Sequence, residues 1–363
     1  VNYWDYIRVE DLLRLQGGTR SNDDEVSNDE VLFIVVHQVY ELWFKLVLRE
    51  LDAACALFDQ KPVPDMALAK ATRSFRRIST IFDQAITHFS VMETLTTRDY
   101  LGFRDTLIGA SGFQSAQLRE MEIVLGLEES QRISLGVEGT YKDALKAMDG
   151  SSSPALARVE RRLGQKASLR TLIYRWLART PVGEDGSPQQ FLEGFLASHA
   201  SELEERLAAI AKTMKLPAAD VTLWKQRYER DLETTRRFLF AEDGDDLPGF
   251  DRDERMRVRA AILFLESFRE LPRLAWPREA LDALIEMEQR MVIWRQRHAR
   301  MVERIIGRRT GTGGSAGVEY LDQTALKYRV FGDVWAVRTL LLKKEAVPEI
   351  PNADDFRFRI QDE

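Results

Sequence analysis

The stretch that opens at Ser27 constrains the fold more than any other. From "SNDE" the chain runs through "VLFIVVHQVYELWFKLVLRELDAACALF" to Phe58 without a proline or a glycine. Ser27 and Glu30 have the spacing of a capping box. Beyond them the apolar residues recur at helical intervals, which predicts one long helix reaching about Phe58. Such a helix needs partners for its apolar face, and the rest of the chain supplies them. Residues 66–96, 113–127, 189–214, 217–240, 254–270, 277–306 and 320–343 also read as helices, as does "LRTLIYRWLAR", which stops before Pro181. Pro277 suits a first helical turn, and Gly307 suits a helix end. Loop compositions at 147–155, 182–190, 242–254 and 311–317 separate these elements. No alternating strand of useful length occurs, so the expected fold class is all-α. No internal repeat is visible. The segment of about 155–250 is more charged than its flanks and reads as a helical insertion in a single domain spanning 1–363.

Composition narrows the function classes. The net charge is −6 with no sustained basic stripe, which argues against a nucleic-acid partner. The single cysteine, Cys55, excludes an intrachain disulfide framework and a thiolate metal cluster. It fits a reducing compartment, and in "LDAACALF" it is expected to be a small buried hydrophobe. No apolar run is expected to reach the roughly 18 residues of a membrane span, and the early acids and aromatics of "VNYWDYIRVEDLL" do not resemble a signal peptide. The expectation is a cytoplasmic protein that binds no membrane.

The chain has only four histidines, His37, His88, His199 and His298. His37 shares a helix face with Phe33, Tyr40, Glu41 and Phe44. His298 shares one with Met291, Trp294, Met301 and Ile305. A histidine on an apolar stripe is a core residue or a ligand, and periodicity alone leaves both readings open. Neither has a second His, Cys or carboxylate at a familiar ligand spacing, so a zinc or non-heme iron site has little support. A porphyrin, which brings four nitrogens and leaves two axial positions, would make one histidine a ligand and the other a distal group. His88 and His199 have more polar settings and are expected at the surface.

Two loops have compositions suited to chemistry. In "TRDYLGFRDTLIGASGFQS" (97–115), Arg104, flanked by Tyr100 and Phe103, either grips a carboxylate in an aromatic pocket or pairs with Asp99 or Asp105. "GTGGSAG" (311–317) follows a helix and lacks a Walker lysine, which makes a P-loop improbable. It reads as a surface linker or as a mobile loop closing over a site through Thr312.

Four motifs, "FIVVHQVYELWFK", "DYLGFRDTLIGASGFQS", "WRQRHARMVERIIG" and "GTGGSAGVEYL", stand in the order found in the tryptophan 2,3-dioxygenase family. "LIYRWLARTP" resembles part of that family's insertion. The resemblance runs from Tyr3 to about Leu342. It implies a bundle of long helices around one heme b per chain, usually in a homotetramer. It also implies ring opening of L-tryptophan by O2 to N-formylkynurenine. By the same resemblance, His298 is the axial ligand of the heme iron, with Trp294, Gly311 and Gly313 contacting the cofactor. His37 is the distal histidine that meets the indole N–H, Phe33 and Tyr100 wall the pocket, and Arg104 grips the substrate carboxylate. Thr312 contacts the substrate ammonium and carboxylate. Tyr3 and Tyr6 match tyrosines that a neighbouring subunit contributes. Val318 stands where the family often has an aromatic, and Tyr100 where its members vary between Tyr and Phe. Relatives in natural-product pathways imply an alternative, a heme oxygenase that acts on a substituted tryptophan and stops at a mono-oxygenated product.

Overall fold

The computed structural model describes residues 1–107, 114–133, 140–147, 149–165, 167–182, 187–244, 247–309 and 317–350. Its helices are α1 (Tyr3–Ile7), α2 (Val9–Leu12), α3 (Asn28–Phe58), α4 (Asp65–Met92), α5 (Thr97–Phe103), α6 (Ala116–Leu125), α7 (Tyr141–Ala144) and α8 (Pro154–Leu163). There follow α9 (Leu169–Leu177), α10 (Pro188–Met214), α11 (Ala218–Leu239), α12 (Arg252–Ser267), α13 (Ala275–Ile306), α14 (Val318–Lys327) and α15 (Gly332–Leu340). No strand occurs among the described residues, as the all-α reading expects. The chain divides into two compact units. The first takes residues 1–56, 73–169 and 286–330, and the second 57–72, 170–285 and 331–363. The charged segment 155–250 is thus shared between them.

In the first unit, α3 starts where the cap signal puts it. The Glu30 N–H donates to Ser27 Oγ at 3.2 Å, but the Glu30 carboxylate turns to Arg20 at 3.5 Å, so only half of the capping box forms. Val36, Tyr40, Phe44, Val47 and Leu51 of α3 are buried, while Val35 and Leu42 are exposed. The Tyr40 hydroxyl donates to the Ala85 carbonyl at 2.8 Å, tying α3 to α4. Contrary to the sequence expectation, α3 is long and apolar enough to cross a membrane by length and composition, with a mean hydropathy of 1.7. Several of its apolar residues pack within the unit, but only 28% of that apolar window is buried. Phe75, Ile78, Phe82 and Phe89 of α4 are buried at helical spacing and supply the facing surface. Gly307, at φ 62, ends α13 in the left-handed conformation that glycine adopts without strain.

In the second unit, α12 opens on a complete capping box between Asp251 and Glu254 and is buried continuously from Val258 to Glu266. Arg259 is among its most buried side chains. It donates to the Phe238 carbonyl, pairs with Asp243 at 2.7 Å and Asp333 at 3.0 Å, and lies 4.0 Å from the Phe238 ring centre.

Two further expectations need correction. The helix expected over 320–343 is two helices, α14 and α15. The Val330 N–H is taken by the Glu288 carboxylate at 2.5 Å instead of a carbonyl one turn back, and the Tyr328 hydroxyl accepts from the Ile133 N–H at 3.0 Å. Cys55 is half-buried, not fully buried.

Candidate functional site

The first unit contains a cavity of about 690 Å³ lined by α3, the N-terminal segment, α5 and the residues that follow it. One turn of α3 gives it Phe33 and His37, and the next Glu41. His37 is exposed, and the surface it exposes faces this cavity. Its Nδ1 lies 2.7 Å from the Phe33 carbonyl oxygen. A carbonyl can only accept, so Nδ1 carries the proton of the neutral ring and Nε2 is left as an acceptor. Burial pushes the His37 pKa below its ordinary 6.5, with the Phe33 carbonyl and the Glu41 charge opposing more weakly. The ring is therefore neutral at pH 7, an acceptor and not a donor at Nε2. Glu41 is itself held, since Gln117 Nε2 donates to its carbonyl at 2.6 Å and to its carboxylate at 2.7 Å.

The aromatic wall assembles around Phe33. Its ring centre lies 4.1 Å from His37, 6.1 Å from Tyr100 and 5.6 Å from Phe103. Thr96 caps α5 by accepting from the Asp99 N–H at 3.2 Å, and its hydroxyl donates to the Asp99 carboxylate. That cap sets the turn that brings Tyr100 to the cavity. Arg104 begins the 3-10 turn Arg104–Leu107 and hydrogen-bonds the Tyr100 hydroxyl. Burial raises the Tyr100 pKa, and Arg104 partly offsets it. Arg104 is half-buried beside Tyr100 and does not itself line the cavity. One rim is closed by glutamines: Gln16 donates to the Gln38 side chain at 2.9 Å, and Gln38 donates to the Leu15 carbonyl at 2.8 Å. Tyr3 and Tyr6 lie on α1, 73% and 80% exposed, and do not reach this chain's own cavity. Thr312, Gly311 and Gly313 lie outside the described residues.

His298 has different surroundings. It is half-buried on α13 with its ring stacked near Phe89 (centres 5.6 Å apart, planes at 10°) and Trp294 (5.5 Å, 22°). Trp294 in turn meets Tyr40, Phe44 and Phe82. Burial pushes the His298 pKa down to about 4, with smaller contributions from the charges of His37 and Arg295. A neutral imidazole in aromatic surroundings is a good soft-edged metal donor. No group of three or more His, Cys, Asp or Glu that could hold an ion by itself occurs among the described residues. One lone histidine donor suits a metal macrocycle that brings its own in-plane nitrogens, and the stacked rings of Phe89 and Trp294 wall the imidazole. The Trp294 Nε1–H, buried without a hydrogen-bond partner, fits a site shaped for something beyond the side chains.

Several residues here escaped sequence reasoning. Glu41 shares the His37 face in sequence, but its clamp by Gln117 comes from a distant helix. Phe82 and Phe89, seven residues apart on α4, carried a helical signal that could have marked the His298 wall. His88 and His199, expected at the surface, are half-buried. His88 packs edge-on against Tyr40 with Nε2 unpartnered, and His199 sits one turn from Phe195 with Nδ1 unpartnered. Burial lowers both pKa values.

A profile of the family described as tryptophan 2,3-dioxygenase matches residues 1–341. The chain is 60% identical over its full length to a protein of Sorangium cellulosum named tryptophan 2,3-dioxygenase, covering 88% of that protein. It is 53% identical to tryptophan 2,3-dioxygenase 2 of Ralstonia nicotianae, over 99% of this chain and 98% of the relative. Similarity extends to animals, with 35% identity over 98% of this chain and 86% of a Xenopus laevis protein of the same name.

Proposed function

The chain belongs to the tryptophan 2,3-dioxygenase family, an oxidoreductase family, and from that premise we propose that it opens the indole ring of L-tryptophan. Both atoms of one O2 enter across the C2–C3 bond, giving N-formylkynurenine with no external reductant consumed. Full-length identity of 60% to a chain named for this activity favours it over mono-oxygenation of a substituted tryptophan.

The observation that carries the reading is the tautomer of His37. With Nδ1–H committed to the Phe33 carbonyl, Nε2 faces the cavity as a neutral acceptor, matched to the indole N–H. It orients the ring and does not deprotonate it, because an indole is far too weak an acid for a neutral imidazole. Phe33 and Tyr100 wall the ring, and the apolar lining excludes water. Arg104 is the cation for the substrate carboxylate, and its bond to the Tyr100 hydroxyl fixes it at the pocket edge. Thr312 is assigned to the ammonium and carboxylate end.

His298 is the chain's donor to a heme b, with Trp294 beside it and Gly311 and Gly313 from the glycine loop. The heme, when bound, supplies the iron that activates O2. At neutral pH His298 keeps its lone pair, because its pKa of about 4 leaves it unprotonated. The exposed aromatics of α1, Tyr3, Trp4 and Tyr6, support a homotetramer in which this segment completes a neighbouring site. The lone cysteine supports the cytoplasm as its compartment.

Anaerobic reduction of the heme-loaded protein, followed by O2 and L-tryptophan, tests the proposal. The expected product is heavier than tryptophan by two oxygen atoms and absorbs as N-formylkynurenine. A product with one added oxygen, or none, overturns it.

A further inference from the structure

His298 sits on a turn of α13 that is held from both sides. At about 100° per residue, Arg295 stands about 60° round the helix from His298 in one direction, and Arg297 about 100° in the other. Each guanidinium is anchored on a different element. Arg295 donates to Glu122 of α6 at 2.7 Å, with both side chains buried. Arg297 makes a bidentate pair with Glu93, which follows α4, one of its two bonds at 2.7 Å. Further along, Arg300 pairs with Asp322 of α14 at 2.5 Å, but that pair is exposed.

Glu122 is the strongest of these anchors. It also accepts from Arg119 at 2.9 and 3.1 Å and from Arg132 at 2.7 Å. Burial alone would push its carboxyl up, but Arg119, Arg295 and Arg132 together hold it at about 2. Arg132 and Arg295 are further packed over the rings of Tyr141 (4.3 Å) and Tyr328 (5.1 Å). A carboxylate this constrained cannot follow a rotating helix. If α13 turns about its axis, Arg295 leaves Glu122 buried among two other cations, and Arg297 leaves Glu93.

We propose that Glu122 and Glu93 are positioning residues that clamp α13 in rotation, through Arg295 and Arg297, and so aim the His298 ring. The proposal rests on His298 being the heme ligand. Neither glutamate touches the heme or the substrate; each acts through an arginine. Partners that orient a metal-binding histidine typically change metal affinity by about 10–100-fold when removed.

The test uses the heme-loaded protein and two readouts that simple loss of stability does not move in parallel. One is the ferrous iron–histidine stretching band in resonance Raman, and the other is the rate of heme transfer to excess apomyoglobin. Asp333→Asn, which disturbs the Arg259 cluster of the second unit, serves as a destabilised control with the wild-type band. Glu122→Gln is expected to shift the band and speed heme transfer about 10–100-fold. Glu93→Gln does so by less, and Arg300→Met leaves both at wild-type values. Should Glu122→Gln not fold, Arg295→Lys, which keeps the charge but loses the planar fork, is expected to give an intermediate shift. A band and a transfer rate matching Asp333→Asn in Glu122→Gln, or in Arg295→Lys where that stands in, overturn the proposal. If His298→Ala keeps the band, the assignment of the ligand fails first, and the clamp with it.

Discussion

His37 and His298 both stand on apolar faces of long helices, yet among the described residues only His37 has a carbonyl within hydrogen-bond distance of its Nδ1. His298 instead lies among stacked rings, with no hydrogen bond to either nitrogen seen among the described residues. Burial keeps both neutral at pH 7. The same neutral imidazole therefore has two uses. Where one nitrogen is committed, the other is an aimed acceptor; where the ring is held only by packing and by its helix, a lone pair is free for a metal. Charged groups follow the same division. Around His37 the fixed polar groups are Glu41, Gln117 and the Tyr100–Arg104 pair, facing a cavity. Around His298 the charges stand off on Arg295 and Arg297 and bear on the helix more than on the ring.

The largest expected effect tests that division directly. His298→Ala should remove the heme, and the Soret absorption with it, while His37→Ala keeps the heme. The reverse pattern in the two absorption spectra would exchange the two roles. Next in size, Arg104→Leu removes a charge-assisted contact to the substrate carboxylate worth about 2–5 kcal/mol. Steady-state kinetics should show KM raised by about 30-fold or more; an unchanged KM would detach Arg104 from the carboxylate. The smallest effect is the turnover of His37→Ala. Loss of one neutral hydrogen bond of about 1 kcal/mol predicts a slowing of about five- to tenfold. The pH profile adds the sign. The acceptor at His37 is present above its folded-state pKa and lost as pH falls through it, and that pKa lies below the ordinary 6.5. Wild-type activity should hold at pH 7 and above and fall as pH drops through that pKa, and His37→Ala should lack the part of that fall due to this histidine.

Much of this was legible in the residues themselves. The start and end of α3, the helices α10 and α11, and the end of α13 at Gly307 follow from caps, periodicity and glycine, all local effects within a turn or two. The break between α14 and α15 was not legible, because the carboxylate that captures the Val330 N–H belongs to Glu288, far along the chain. His88 and His199 look polar in sequence because their neighbours in the chain are polar. Their burial comes from Tyr40, across helices, and from the packed flank next to Phe195.

The sequence by itself determined that the chain is helical, where its long helices begin, and that His37 and His298 stand on apolar faces. Motifs in a fixed order also determined the family. Those properties are set by residues within a few positions of each other, or by patterns that can be matched letter by letter. Only the tertiary structure decided the tautomer of His37, the aromatic rings around His298, and the gathering of Arg119, Arg132 and Arg295 on Glu122. The His37 tautomer depends on side-chain geometry, a 2.7 Å approach to the Phe33 carbonyl, which spacing permits and does not fix. The other two depend on which helices meet, and a buried charge or ring is worth most where water is excluded by partners distant in the chain.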